Sequence, residues 1–180
     1  MNRKALVLYA SKYGSTREVA EDIASTLRKS GLKIDLMDVR KVRALDAYGF
    51  IVLGAAIYYD HWHKDALNFL AKNQAALTSH SSECPRVVIF ALGPTHNDEK
   101  EWQYSRATLE RELAKFPWLT PVAVEMFGGR YPTRLHFPDT LVAGLPASPL
   151  HGMPASDVRD WTAIRTWASS LTQKLQPDIS

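Results

Sequence analysis

The feature that most constrains this chain is an alternation of two hydrophobic periods. Residues 5–10 (ALVLYA), 50–55 (FIVLGA) and 86–92 (RVVIFAL) are short, nearly unbroken apolar runs rich in β-branched and aromatic residues. Such runs read as strands covered on both faces, the situation of parallel strands. Between them the period changes. Residues 16–29 place Val19, Ala20, Ile23, Ala24 and Leu27 on one helical stripe that Gly31 stops. Residues 33–38 (KIDLMD) alternate as a strand with a more exposed face. A helix is predicted over 64–77, with Leu67, Leu70, Ala71 and Leu77 on one side, and another over 101–116. Residues 121–127 (PVAVEMF) supply a fifth strand, and 158–175 repeat apolar residues at Trp161, Ile164, Ala168, Leu171 and Leu175. Right-handed crossovers put helices on both sides of such a sheet, so an α/β fold is expected: a doubly wound, five-stranded parallel sheet of order 2-1-3-4-5. The 180 residues, 46% hydrophobic, suit a single domain over 1–180 with one packed sheet.

One stretch breaks the rhythm. Residues 128–156 carry Pro132, Pro138, Pro146, Pro149 and Pro154 with Gly144 and Gly152, and they show no sustained period. This predicts a long loop, of the kind that usually serves function. The charge balance, 22 Lys plus Arg against 19 Asp plus Glu, is too mild to point to nucleic acid. Cys84 is the single cysteine, so neither an internal disulfide nor a multi-cysteine metal site is expected, and it reads as a packing thiol in a reducing compartment. The first ten residues run straight into a glycine turn without the longer apolar region of a signal peptide. No apolar run approaches the roughly 20 residues of a transmembrane helix. A cytoplasmic protein without a transmembrane segment is therefore expected. Peripheral contact with a membrane and a homodimer are left open.

The candidate site lies where strand ends meet loops. Ser11-Lys12-Tyr13-Gly14-Ser15-Thr16 joins the first strand to the first helix. Gly14 lets the chain turn closely, three hydroxyls can donate, and the helix start offers free N–H groups to a phosphate. A plain helix start is the alternative, since Ser15 and Glu18 have the spacing of a capping box. After the third strand, Gly54 to His63 (GAAIYYDHWH) puts small residues and then Tyr58, Tyr59 and Trp62 at the same sheet edge. Small residues admit a flat ring's polar edge and aromatics can cover its face, or they can simply seal the sheet. His61 and His63 read as loop or surface histidines. Leu92-Gly93-Pro94-Thr95-His96 follows the fourth strand and completes three loops that can converge on one ligand. Gly128 and Gly129 form an outer wall or a turn.

VLYASKYGSTREVAEDIA resembles the opening strand, phosphate loop and first helix of flavodoxins. That resemblance implies FMN as cofactor. It implies a phosphate cradle of Ser11, Thr16 and the backbone of Lys12, Tyr13, Gly14 and Ser15. It also implies a ring site formed by Ala56, Ile57, Tyr58, Tyr59, Leu92, Gly93, Pro94 and Thr95, with Gly128 and Gly129 beyond. Within flavodoxin-like proteins, YASKYGSTREVA, GAAIYYDHWHKDALNFL and FGGRYPTRL are most similar to the quinone-dependent protoporphyrinogen oxidase type of haem biosynthesis. That implies electron transfer from a porphyrinogen to a quinone, the flavin doing the redox step and no side chain being assigned as catalytic. Arg130, Tyr131, Arg134, His136 and Phe137 would then line a pocket over the flavin for a flat, carboxylated substrate, with Arg130 and Arg134 as partners of its carboxylates.

Two other readings stand beside this oxidoreductase. One is a flavodoxin-type electron carrier that docks on a larger redox-protein partner. Shuttle flavodoxins are generally acidic, whereas this chain has a formal charge of +3. The other is a flavin-free interaction module, against which the Gly14-Ser15-Thr16 turn weighs.

Overall fold

The structure, a computed structural model, describes residues 4–58, 60–78, 84–148 and 151–175. Tyr59, Pro149 and the side chain of Leu175 therefore lie outside the described residues. In chain order the elements are β1 (Lys4–Ala10), α1 (Ser15–Lys29), β2 (Ile34–Asp38), β3 (Tyr48–Tyr58), β4 (His61–Trp62), α2 (Lys64–Lys72), α3 (Gln74–Thr78), β5 (Arg86–Leu92), α4 (Glu99–Leu113), β6 (Ala123–Phe127), β7 (Arg130–Tyr131), α5 (Asp139–Gly144), β8 (Ser156–Asp157) and α6 (Trp161–Leu175).

The parallel sheet has the order β2-β1-β3-β5-β6. This is the expected 2-1-3-4-5 once β4, a two-residue strand folded back antiparallel on the end of β3, is set aside. Side chains alternate between two cores. Leu6, Leu8, Ile51, Leu53 and Ile89 face the layer that includes Phe69 and Leu70 of α2 and Leu109 of α4. Val7, Val52, Val88 and Phe90 face Ile23 and Leu27 of α1 and Ile164, Ala168 and Leu171 of α6. Both faces of the central strands are covered, which is why their sequences read as continuous apolar runs.

Two sequence expectations need correction. The helix expected over 64–77 breaks at Asn73, whose side-chain amide donates to the Phe69 carbonyl at 2.8 Å and ends α2, so that α3 starts separately. The loop expected over 128–156 contains the β7–β8 ladder, pairing Arg130 with Asp157 and Tyr131 with Ser156, and the short helix α5. Among the described residues no helix is long and apolar enough to cross a membrane.

Candidate functional site

The strand order reverses between β1 and β3, and open α/β sheets bind ligands at such a switch point, beyond the carboxyl ends of the strands. A cavity of about 400 Å³ lies there. The loops after β1, β3 and β5 all line it, through Ser11, Lys12, Tyr13, Ser15 and Thr16, then Ala56, Ile57 and Tyr58, then Leu92, Gly93 and Thr95. Gly129 and Arg130 close another side. Gly14, Pro94 and Gly128 support these loops without lining the cavity. Gly14 holds the left-handed conformation, φ 88°, at the start of α1. Pro94 accepts from the Gly129 N–H at 2.6 Å, and Gly128 packs so closely on Val158 that a Cβ would stand 2.1 Å from its carbonyl oxygen.

In the turn itself, Ser11 Oγ accepts from the Gly14 N–H at 3.0 Å. Gly14 is the residue preceding α1 and no side chain caps the helix, so Ser15 is its first helical residue and the capping box does not form. Glu18 turns away to pair with Arg130 at 3.2 Å and Arg159 at 2.8 Å. Thr16 is 1% exposed, and its hydroxyl is a buried oxygen without a hydrogen-bond partner in the protein. A buried hydroxyl left unpaired costs roughly 1–3 kcal/mol, so its place at a turn that faces a cavity fits an absent acceptor.

Behind the lining residues Lys12, Tyr13 and Tyr58 sits Asp139, 3% exposed, at the start of α5. Its Oδ2 accepts from Lys12 Nζ at 2.6 Å and from the hydroxyls of Tyr13 and Tyr58. Burial pushes this carboxyl up, but the three donors outweigh it and hold it below the usual carboxylate range. Burial and the Asp139 carboxylate push the Tyr58 phenol well up, so it stays a donor. The Tyr13 hydroxyl also accepts from the His136 N–H at 3.2 Å.

Glu101, near the start of α4, shapes the β5 loop by accepting from the Thr95 N–H at 2.7 Å and the Thr95 hydroxyl at 3.2 Å. Glu101, Asp60, His63, Tyr104 and Ser105 also line the cavity. The sequence pattern marks neither Glu101, Asp60, Tyr104 and Ser105 nor Asp139 for a site, and His63, expected as a loop or surface histidine, has a side chain only 15% exposed that accepts from the Asp65 N–H. Only the helix start around Pro138-Asp139 left a local signal, since an acidic residue suits the first turn of a helix. Trp62 is buried with its indole N–H on the Ala55 carbonyl at 3.0 Å, so it belongs to the core and not to a ring-covering wall. His61 points outward to Glu112 at 3.1 Å. Arg130 lines both this cavity and an adjoining one of about 180 Å³, which Arg134 and His136 line as well.

The flavodoxin-domain family profile matches residues 6–141, which take in the turn after β1, the β3 and β5 loops and Asp139. The chain belongs to the flavodoxin-domain family. Members of this family hold a flavin as a rule. Among curated relatives, protoporphyrinogen IX dehydrogenase [quinone] of Escherichia coli K12 is 31% identical over 108 residues, covering 59% of this chain and 60% of the relative. The chain thus matches less than two thirds of that relative's length. The protein of the same name from Leishmania major is 26% identical over 175 residues, covering 92% of this chain and 73% of the relative. Among solved structures, oxidised Flavodoxin 1 from Bacillus cereus superposes with a TM-score of 0.59 at 17% identity, covering 96% of this chain and 99% of that one. This last likeness concerns the fold.

Proposed function

We propose that this flavodoxin-domain protein binds FMN and is an oxidoreductase that takes electrons from a flat, carboxylated donor of the porphyrinogen class and passes them to a quinone. The unpartnered, buried Thr16 hydroxyl at the turn after β1 carries the cofactor part. With Ser11, Ser15 and the N–H groups that open α1, it offers a phosphate neutral donors and a helix's positive end. When bound, the flavin supplies the redox chemistry. The chain's own residues bind, orient and shield. Ala56 to Tyr58 and Leu92 to Thr95 present backbone and apolar surface to the ring, and the cavity volume is that of a small-molecule site.

The substrate part rests on the adjoining cavity. Arg130, Arg134 and His136 line it together with Tyr13, Ser15, Pro132 and Thr133, with no acidic side chain among the described residues that line it, and Arg130 also pairs with Glu18 at 3.2 Å. Guanidinium groups suit carboxylates through paired hydrogen bonds. The exposed Phe137, Leu141 and Leu145 nearby offer an apolar approach for a quinone. The electron pair and two protons leaving the donor are those that turn the quinone into its quinol. The names of the Escherichia coli and Leishmania major relatives agree with this reading. An electron carrier would share the fold, and turnover separates the two.

The deciding experiment is reconstitution of the purified protein with FMN, followed by its absorbance spectrum and by turnover with protoporphyrinogen and a menaquinone analogue. Bound flavin and quinone-dependent porphyrin formation are expected. Thr16→Ala should weaken FMN binding more than tenfold, as loss of a buried, charge-assisted hydrogen bond does. Absence of flavin bands refutes the cofactor, while bound flavin without turnover leaves a carrier.

A further inference from the structure

His63 is held in one place by its backbone and in one tautomer by its side chain. The β3–β4 hairpin pairs Ile57 with Trp62 and Tyr58 with His61, and the His63 N–H then donates to the Ala56 carbonyl at 3.0 Å. That bond sets His63 beside Ala56 at the rim of the cavity, which the histidine lines. The imidazole is 15% exposed. Its Nδ1 accepts from the Asp65 N–H at 3.2 Å, capping α2. A nitrogen that accepts carries no proton, so the neutral ring holds its proton on Nε2, the one polar atom the cap leaves for another partner.

The surroundings favour that neutral form. Burial pushes the imidazole below its ordinary value, with Lys64 and Arg40 adding to the effect and Asp65 and Asp38 opposing it. Protonation would also place an N–H against the Asp65 N–H and break the cap. The ring is therefore a fixed, uncharged donor, and a donor of that kind discriminates between ligands by how much negative charge they place on the acceptor it meets.

We infer that His63 is the tautomer-locked N–H donor of this cavity, and that its Nε2–H binds the reduced, more electron-rich flavin ring more strongly than the oxidised one. The inference rests on the FMN reading above and goes beyond it by naming the residue that biases the cofactor's reduction potential. Its role in α2 and its role in the cavity are separable, because asparagine is also a good helix cap but is too short to take the place of Nε2.

The test compares FMN-reconstituted wild type with His63→Asn. The variant should unfold at the wild-type temperature within about 2 °C and bind oxidised FMN within about threefold of wild type. Binding of reduced FMN should weaken about tenfold more than binding of oxidised FMN does, which lowers the two-electron midpoint potential by about 30 mV. An unchanged potential with FMN bound overturns the role of His63 and leaves the FMN reading intact. Failure of the wild type to bind FMN overturns both. A second measurement needs no variant: in the ¹⁵N-histidine-labelled protein without flavin, His63 should show a bare Nδ1 and a protonated Nε2 at pH 7, and the Nε2 proton should move downfield on adding FMN. The opposite tautomer, or an unmoved proton, refutes the inference.

Discussion

The ring of Phe90 lies across Gly54 so closely that a Cβ built on the glycine would stand 1.8 Å from Phe90 Cζ. The two residues are register partners on adjacent strands, and Phe90 is fully buried against Phe127 and Trp167 at centroid distances of 6.4 and 6.3 Å. The ring has nowhere to go. Gly54→Ala should therefore destabilise the protein by about 1–3 kcal/mol, the usual cost of overpacking a dense core, as measured by denaturant unfolding. An unchanged midpoint would mean that Phe90 can swing aside. Gly14 differs in kind, since a Cβ there would meet nothing within 4 Å and only its positive φ requires glycine. Both glycines stand in apolar or hydroxyl-rich context in the sequence, and nothing there distinguishes a glycine needed for space from one needed for its dihedral angle.

Among the elements, α5 and the residues before it are tied to the cavity-lining Lys12, Tyr13 and Tyr58 through the Asp139 carboxylate and the His136 N–H. Asp139→Asn keeps the shape but removes the charge that holds Lys12, so segment 132–148 should open and be cut by protease roughly tenfold faster, with little change in global unfolding. This follows from a charge-assisted hydrogen bond worth about 1.5–3 kcal/mol. Because the Asp139 carboxyl lies below its ordinary 3.8, its contribution is fully present above that value and is lost as pH falls through the lower folded value. Wild-type protection should fall in that acid window, and the asparagine variant should show no such step. Protease protection that is equal in both proteins would rule out the latch. How far the sequence foretold these elements depends on their length. Runs such as 86–92 or the Val19-to-Leu27 stripe span several periods and match β5 and α1 closely. Two-residue β7 and β8 and six-residue α5 contain too few positions for any period to emerge. The hydroxyls of Ser11, Ser15 and Thr16 are readable because they fall in one short loop. Asp139 is not, since Lys12 lies 127 positions away. His63 reads in the sequence as a loop or surface histidine because a histidine's part is decided by what donates to it, and Asp65 does so only once α2 has formed.

For the molecule as a whole, cofactor and fold are linked. A ligand that binds only the folded state stabilises it by about 2.7 kcal/mol at a hundredfold excess over its Kd. For a domain of this size that amounts to a rise in Tm of roughly 5–11 °C, readable in a thermal melt with and without FMN. Thr16→Ala at the same FMN concentration should show a clearly smaller rise. No rise in the wild type would contradict a cofactor held by the folded cavity. Helix α1 is covered on one side by the sheet and on its outer flank by α6. Its Ile23 and Leu27 share a core with Ile164, Ala168 and Leu171 of α6. Arg165 reaches Asp22 at 3.0 Å, and the buried Arg159 joins Glu18 to Asp157. α1 and α6 therefore open together, as one cooperative unit assembled from segments distant in sequence. Hydrogen exchange would read that coupling as matched protection of the two helices.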